Sequence, residues 1–198
     1  FIIKIIVLCL VTIKVSAIEK VILFGDSLMA GYGLPKEQHL SVVLQNSLEV
    51  EGHKIKIING SVSGSTSAGG LNIAEWTLSQ SNIDLMILCL GANDMLRGIN
   101  PKETKNNLEE IIQIAKNKKI KIIITGMIAP TSYGSEYKES FDKIFFNLSK
   151  EYNLQLIPFL LEGVAQKPEF NLSDGMHPND QGTIIIGNTL KKAILKNL

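Results

Sequence analysis

Cysteine is nearly absent from this chain: its 198 residues include two, Cys9 and Cys89. That excludes a disulfide scaffold. Cys89 falls within the apolar run 85–90, where a free thiol behaves as a small buried hydrophobe. Cys9 follows Leu8, which is too bulky for the processing site of a lipid anchor. Histidine is also scarce, with three residues, which leaves little material for a metal centre built on clustered imidazoles. No block of one charge sign exists, and 20 basic against 19 acidic residues give a net charge of +1. The electrostatic footprint of a nucleic-acid binder is therefore missing. No internal repeat, low-complexity tract or linker divides the chain, and its length suits one domain. What remains is ordinary globular material, 45% hydrophobic and 20% charged.

The first 17 residues have a different character. Lys4 precedes a short apolar run, 5–11, and Val15-Ser16-Ala17 has the small-residue pattern of a signal-peptidase site. A permanent span needs roughly 20 apolar residues, and Lys14 interrupts this run. Because the chain begins at Phe1, the start of the basic region is expected to lie upstream. Residues 1–17 are thus expected to be a signal peptide and 18–198 the mature domain, exported to the periplasm or secreted, with no stable membrane span after cleavage. Removing Lys4 and Lys14 leaves 18 basic against 19 acidic residues, a net charge of −1.

Beyond Ala17, short apolar runs rich in branched residues alternate with longer amphipathic stretches. Runs 20–24, 55–59, 85–90, 120–125 and 154–157 are continuous in apolar character, which predicts strands buried on both faces of a parallel sheet. Asn100-Pro101-Lys102-Glu103 reads as a helix start, with a cap, a proline in the first turn and a glutamate able to reach back. Leu108, Ile111, Ile112 and Ala115 then line one face. Phe141, Ile144, Phe145 and Leu148 repeat the helical spacing. A last helix is expected over 178–195, burying Ile184, Ile185 and Leu190 or their neighbours. Such alternation implies right-handed βαβ crossovers and a three-layer α/β sandwich. Chemistry is then expected at the carboxyl ends of the strands.

Polar clusters stand at those ends. The first strand runs into Gly25-Asp26-Ser27-Leu28, the second into Asn59-Gly60-Ser61-Val62-Ser63-Gly64, and the third into Gly91-Ala92-Asn93-Asp94. Asp174-Gly175-Met176-His177-Pro178-Asn179 precedes the last helix. A serine hydroxyl needs a base to take its proton, and a third group usually orients that base. His177 is the best placed base, since His39 and His53 sit in ordinary surface contexts. Asp174, three residues earlier in a glycine-containing turn, is close enough to hold its imidazole. Acyl transfer also needs donors for an oxyanion, and three converge on the same edge: the Ser27 and Gly64 backbone N–H groups and the Asn93 side-chain amide. Asp26 and Asp94 are expected to anchor their turns through backbone hydrogen bonds, and Trp76 to lie in the core or a groove wall.

Two other readings of these clusters fare worse. A metal-dependent phosphoesterase would use Asp26, Asn93, Asp174 and His177, yet such sites gather more ligands, several histidines among them. A flavodoxin-like binding module would cradle a phosphate in the loop 61–70, which sets Asp26 beside an anion and leaves Asp174 and His177 without a task. The G-x-S-x-G string of α/β-hydrolases does not occur.

Together, Gly25-Asp26-Ser27-Leu28, Gly64, Gly91-Ala92-Asn93-Asp94 and Asp174-x-x-His177 resemble the four sequence blocks of the SGNH/GDSL hydrolases, in order and across nearly the whole mature chain. FGDSLMAGYGL at 24–34, Leu96-Arg97-Gly98, Tyr133-Gly134 and Ile157-Pro158-Phe159 resemble its bacterial branch of thioesterase I/lysophospholipase L1 and arylesterase type. The resemblance implies a flavodoxin-like sheet of five parallel strands. It implies Ser27, Asp174 and His177 as catalytic residues, and Ser27, Gly64 and Asn93 as the oxyanion hole. It further implies no cofactor, no metal and a small-molecule ester, thioester or lysophospholipid substrate with an acyl chain, to which the loop 127–137 offers a wall. The expected state is a monomer.

Overall fold

The computed structural model of the chain describes residues 18–79 and 82–198. The expected signal segment, 1–17, lies outside the described residues. Five strands, β1 (Lys20–Gly25), β2 (Lys56–Asn59), β3 (Leu85–Cys89), β4 (Lys121–Thr125) and β5 (Gln155–Ile157), form one sheet in the order β2-β1-β3-β4-β5. All neighbouring strands are parallel. Each strand starts within one residue of its expected position. The expectation of burial on both faces holds throughout β3, and for β1 and β4 apart from their first residues. It fails for β2, whose ends are exposed, and in part for β5, because both are sheet edges. Cys89 is buried at the end of β3.

Helices cover both faces. The helices α2 (Leu40–Val50) and α7 (Asp180–Leu195) pack together on one side, and α3 (Ser67–Leu78), α5 (Pro101–Asn117) and α6 (Ser135–Tyr152) adjoin in sequence on the other. Short helices α1 (Ser27–Ala30) and α4 (Ala92–Leu96) follow β1 and β3 directly. The reason for the α5 boundary is visible: Asn100 Oδ1 accepts from the Lys102 N–H at 2.9 Å, and Pro101 occupies the first turn, where a missing N–H costs nothing. The apolar faces expected for α5 and α6 are buried. In α7 the buried face is Ile186, Leu190, Ala193 and Ile194, while Ile184 is 51% exposed, which rotates the face from the expected one. Trp76 also departs from expectation, being 71% exposed on α3 rather than in the core or groove wall. Among the described residues no helix is long and apolar enough to cross a membrane.

The chain runs from β1 outward to β2 and then crosses back to β3 on the other side of β1. Crossovers on opposite sides open a crevice at the carboxyl ends of β1 and β3. Ser27 follows β1 and Asn93 follows β3, so topology alone brings them to one place.

Candidate active site

The buried Asp26 caps α1, its Oδ1 accepting from the Leu28 N–H at 3.0 Å. Ser27 is thereby fixed as the first helical residue, half-buried at the sheet edge. Its Oγ lies 2.9 Å from His177 Nε2, and His177 Nδ1 lies 2.7 Å from Asp174 Oδ2. An ionised carboxylate only accepts, so Nδ1 carries the proton and Nε2 is left free to accept the serine proton.

The segment bearing Asp174 and His177 is a fixed loop. The Leu172 N–H donates to the His177 carbonyl at 2.7 Å, Asn171 and Pro178 form an antiparallel bridge, and Asn171 Nδ2 donates to the Val164 and Lys167 carbonyls at 2.8 Å each. Asn179 closes the loop by capping α7 through Gly182. Within it, Asp174 Oδ1 accepts from the His177 N–H at 3.0 Å and the Met176 N–H at 2.9 Å. These amides, His177 first, together with the imidazole hold the Asp174 carboxyl down to about 2. A depressed carboxyl stabilises the fold fully above its ordinary value and ceases to do so as pH falls through about 2. The acid is therefore ionised at neutral pH.

On the β3 side, Asn93 Nδ2 donates to the Ser65 carbonyl at 3.1 Å and approaches Asp26 Oδ2 at 3.4 Å. Gly64 has a left-handed backbone, φ +79°, and its carbonyl accepts from Arg97 at 3.1 Å, which ties the loop after β2 to the end of α4. Asp94 does more than anchor its own turn. It accepts from the Ser67 N–H at 2.7 Å, from the Ser67 hydroxyl and from the Thr104 hydroxyl at 3.2 Å, joining α3, α4 and α5 behind the site.

Asp26 is the electrostatic oddity. Burial pushes its carboxyl up to about 6, against the pull of the Leu28 N–H, the Asn93 amide and His177. A raised carboxyl has the opposite linkage to Asp174: between about pH 4 and 6 the folded state binds more protons, so stability falls as pH rises. Asp26→Asn keeps an acceptor for Leu28 but cannot ionise. The unfolding free energy of wild type relative to this variant is expected to fall by about 2 kcal/mol from pH 4 to pH 7. Urea titrations of both proteins at several pH values check this, and a pH-independent difference rules it out.

A groove of about 660 Å³ opens beside these groups, lined by Ser27, Asn93 and His177 at one end. Its walls are largely apolar: Leu28, Met95, Leu96, Met127, Ile128, Ala129, Pro130, Phe159 and Leu161. Glu162, Gln166, Lys167 and Asn171 supply a polar margin. Residues 127–130 of the loop after β4 thus form the wall expected of them. Among the described residues no group of three or more His, Cys, Asp or Glu side chains could hold a metal ion.

The structure brings Ser27, Asn93, Asp174 and His177 to one groove mouth and sets Gly64 on the adjoining loop. Sequence reasoning missed the wall after β5, which has no periodic signal. It also missed Tyr32, whose ring lies 4.4 Å from that of His177. The one available cue was an aromatic residue between two glycines, Gly31-Tyr32-Gly33.

A parallel five-stranded α/β sandwich with a Ser–His–Asp chain at its switch point defines a hydrolase class, and sequence comparison assigns it. The chain belongs to the GDSL-like lipase/acylhydrolase family, whose profile matches residues 23–183. It is 36% identical over 183 residues to an arylesterase of Vibrio mimicus, covering 92% of each chain. It is 32% identical over 187 residues to thioesterase 1/protease 1/lysophospholipase L1 of Escherichia coli K12, covering 94% of this chain and 88% of the relative. The crystal structure of TesA superposes with a TM-score of 0.86 at 31% identity, covering 91% of this chain and all of that one.

Proposed function

We propose that the protein is an exported serine esterase that hydrolyses carboxylic esters through an acyl-enzyme on Ser27. The observation that carries this reading is the unbroken chain Ser27 Oγ–His177 Nε2 and His177 Nδ1–Asp174 Oδ2 at the mouth of an apolar groove. His177 takes the hydroxyl proton as Ser27 Oγ bonds to the acyl carbon, and the carbonyl electrons move to the oxyanion. His177 then delivers that proton to the departing alcohol as the ester C–O bond breaks. Water repeats the sequence on the acyl-enzyme and releases the acid.

The Ser27 and Gly64 N–H groups and Asn93 Nδ2 receive the oxyanion. Asn93 has two amide hydrogens: one bonds Ser65, and the other makes only the long contact to Asp26, so it is the one free to strengthen its bond as charge develops. Asn93→Ala is expected to lower kcat by roughly 10²–10³-fold with KM little changed. Steady-state kinetics on p-nitrophenyl esters check this. A raised KM with kcat intact makes Asn93 a ground-state binding residue instead.

No step in this scheme uses a metal. Exhaustive chelation is expected to leave ester hydrolysis unchanged, while an organophosphonate inactivates the enzyme and labels Ser27. Activity lost on chelation and restored by one divalent metal overturns the mechanism. The substrate reading is an ester or lysophospholipid whose acyl chain lies against Met127, Ile128 and Phe159, bound by a monomer. Its support is the apolar wall together with the names of the relatives, and rates across acyl-chain lengths test it.

Export rests on Lys4, the apolar run and Val15-Ser16-Ala17. Its support from the fold is that β1 begins at Lys20, beyond the expected cleavage point after Ala17. Expressed with its natural start in a Gram-negative host, the protein is expected in the periplasm with Ile18 first. An intact mass showing an uncleaved cytoplasmic chain overturns the export reading.

A further inference from the structure

The turn that follows α1 is built to present one side chain. Gly31 and Gly33 both have left-handed backbones, φ +88° and +74°, and Tyr32 stands between them. Each glycine is also pressed against a neighbour: a Cβ on Gly31 would lie 2.5 Å from the His39 ring, and one on Gly33 2.6 Å from Leu172 Cδ1. His39 Nε2 in turn reaches the Leu34 carbonyl at 3.0 Å. Leu172 is the residue whose N–H bonds the His177 carbonyl. The segment leaving the nucleophile helix is therefore docked onto the loop that carries His177. The outcome is a tilted contact between the Tyr32 and His177 rings, with centroids 4.4 Å apart and planes at 37°.

Burial does not explain this placement, since Tyr32 is 52% exposed. The geometry of the imidazole does. Its two bonds, to Asp174 through Nδ1 and to Ser27 through Nε2, both lie along the edge of the ring. They hold the ring within its plane, and a contact on the ring face adds a restraint against tilting out of that plane beyond the one its bond to Cβ supplies. The charged groups around the imidazole are Asp174 on Nδ1, the buried Asp26 below Ser27, and Glu162 and Lys167 on the groove margin. Tyr32 adds no charge to them, but an aromatic face attracts a cation.

We propose that Tyr32 is a positioning residue, whose ring face keeps the His177 imidazole aligned between Ser27 and Asp174 and stabilises the imidazolium formed as Ser27 attacks. The proposal rests on His177 being the base. It concerns proton transfer and not substrate binding, so it makes a split prediction. On a short p-nitrophenyl ester, Tyr32→Ala and Tyr32→Leu are expected to lower kcat roughly 3–30-fold, with KM within about twofold. Tyr32→Phe, which keeps the ring, restores kcat. On a His177→Ala background, where only residual hydrolysis remains, Tyr32→Ala costs nothing further.

Three results overturn the proposal. Tyr32→Leu matching Tyr32→Phe reduces the effect to bulk. A raised KM with kcat retained makes Tyr32 a substrate wall. The same loss on the His177→Ala background shows an effect independent of the imidazole. A His177→Ala enzyme with undiminished activity is a separate outcome, and it removes the assignment of the base itself. Should Tyr32→Ala fail to fold, judged by its thermal transition, the Leu and Phe variants still decide the matter.

Discussion

Ser27→Ala is expected to lower turnover by about 10⁶-fold, the scale seen when the nucleophile of a serine hydrolase is removed. The fold should survive the change. Ser27 is half-buried and stands at the sheet edge, its hydroxyl bonded to His177 Nε2 and not to the core. Alanine also suits a helical position, and the Asp26 cap acts through the Leu28 N–H, which the substitution leaves in place. Measured kcat on a p-nitrophenyl ester and an unchanged thermal transition together check the prediction. A loss of less than about 10²-fold is too small for a covalent nucleophile. Another residue would then carry the acyl group.

The second large effect belongs to Asp174→Asn, for which a fall of about 10⁴-fold is expected where the triad logic applies fully. The local bonding says why. Asp174 Oδ1 holds the Met176 and His177 backbone amides, and the amide oxygen of asparagine can keep both, so the loop stays closed. The new NH₂ must then occupy the place of Oδ2, facing His177 Nδ1. A donor there makes Nδ1 the acceptor and moves the ring proton to Nε2, where it blocks the serine hydroxyl. Stability should fall only by what the lost carboxylate charge contributes, while kcat collapses. Activity within tenfold of wild type would show that the imidazole keeps its tautomer without Asp174, and the orienting role would be lost.

The strands were readable because buried parallel strands need continuous apolar runs, and β1, β3 and β4 provide them. Their edge neighbours were harder: the runs of β2 and β5 are also mostly apolar, though broken by Lys56, Asn59 and Gln155, and only the sheet order reveals that one side of each meets no strand among the described residues. The site residues stood out as polar clusters at apolar run ends. Asp26 shows the limit of such reading. Its capping bond to Leu28 follows from sequence spacing, but its burial and its approach to Asn93 depend on β1 and β3 being neighbours. Trp76 and Ile184 were misplaced for a related reason. Periodicity gives a helix an apolar face, but its rotation is set by what it packs against, α2 in the case of α7. Tyr32 lay beyond reach because its partner is 145 positions away in the chain and joined to it by no pattern.

Ser27 and His177 are separated by 150 residues, and His177 lies just ahead of the helix that packs on α2. A ribosome adding roughly 5–20 residues per second takes about 8–30 s to travel from one to the other. Throughout that interval the growing polypeptide carries the proposed nucleophile without its proposed base. The order of the two residues along the gene therefore works as a timer. With Ser27 and His177 in the roles proposed above, a nascent chain has no hydrolytic capacity until its final segment has emerged and docked.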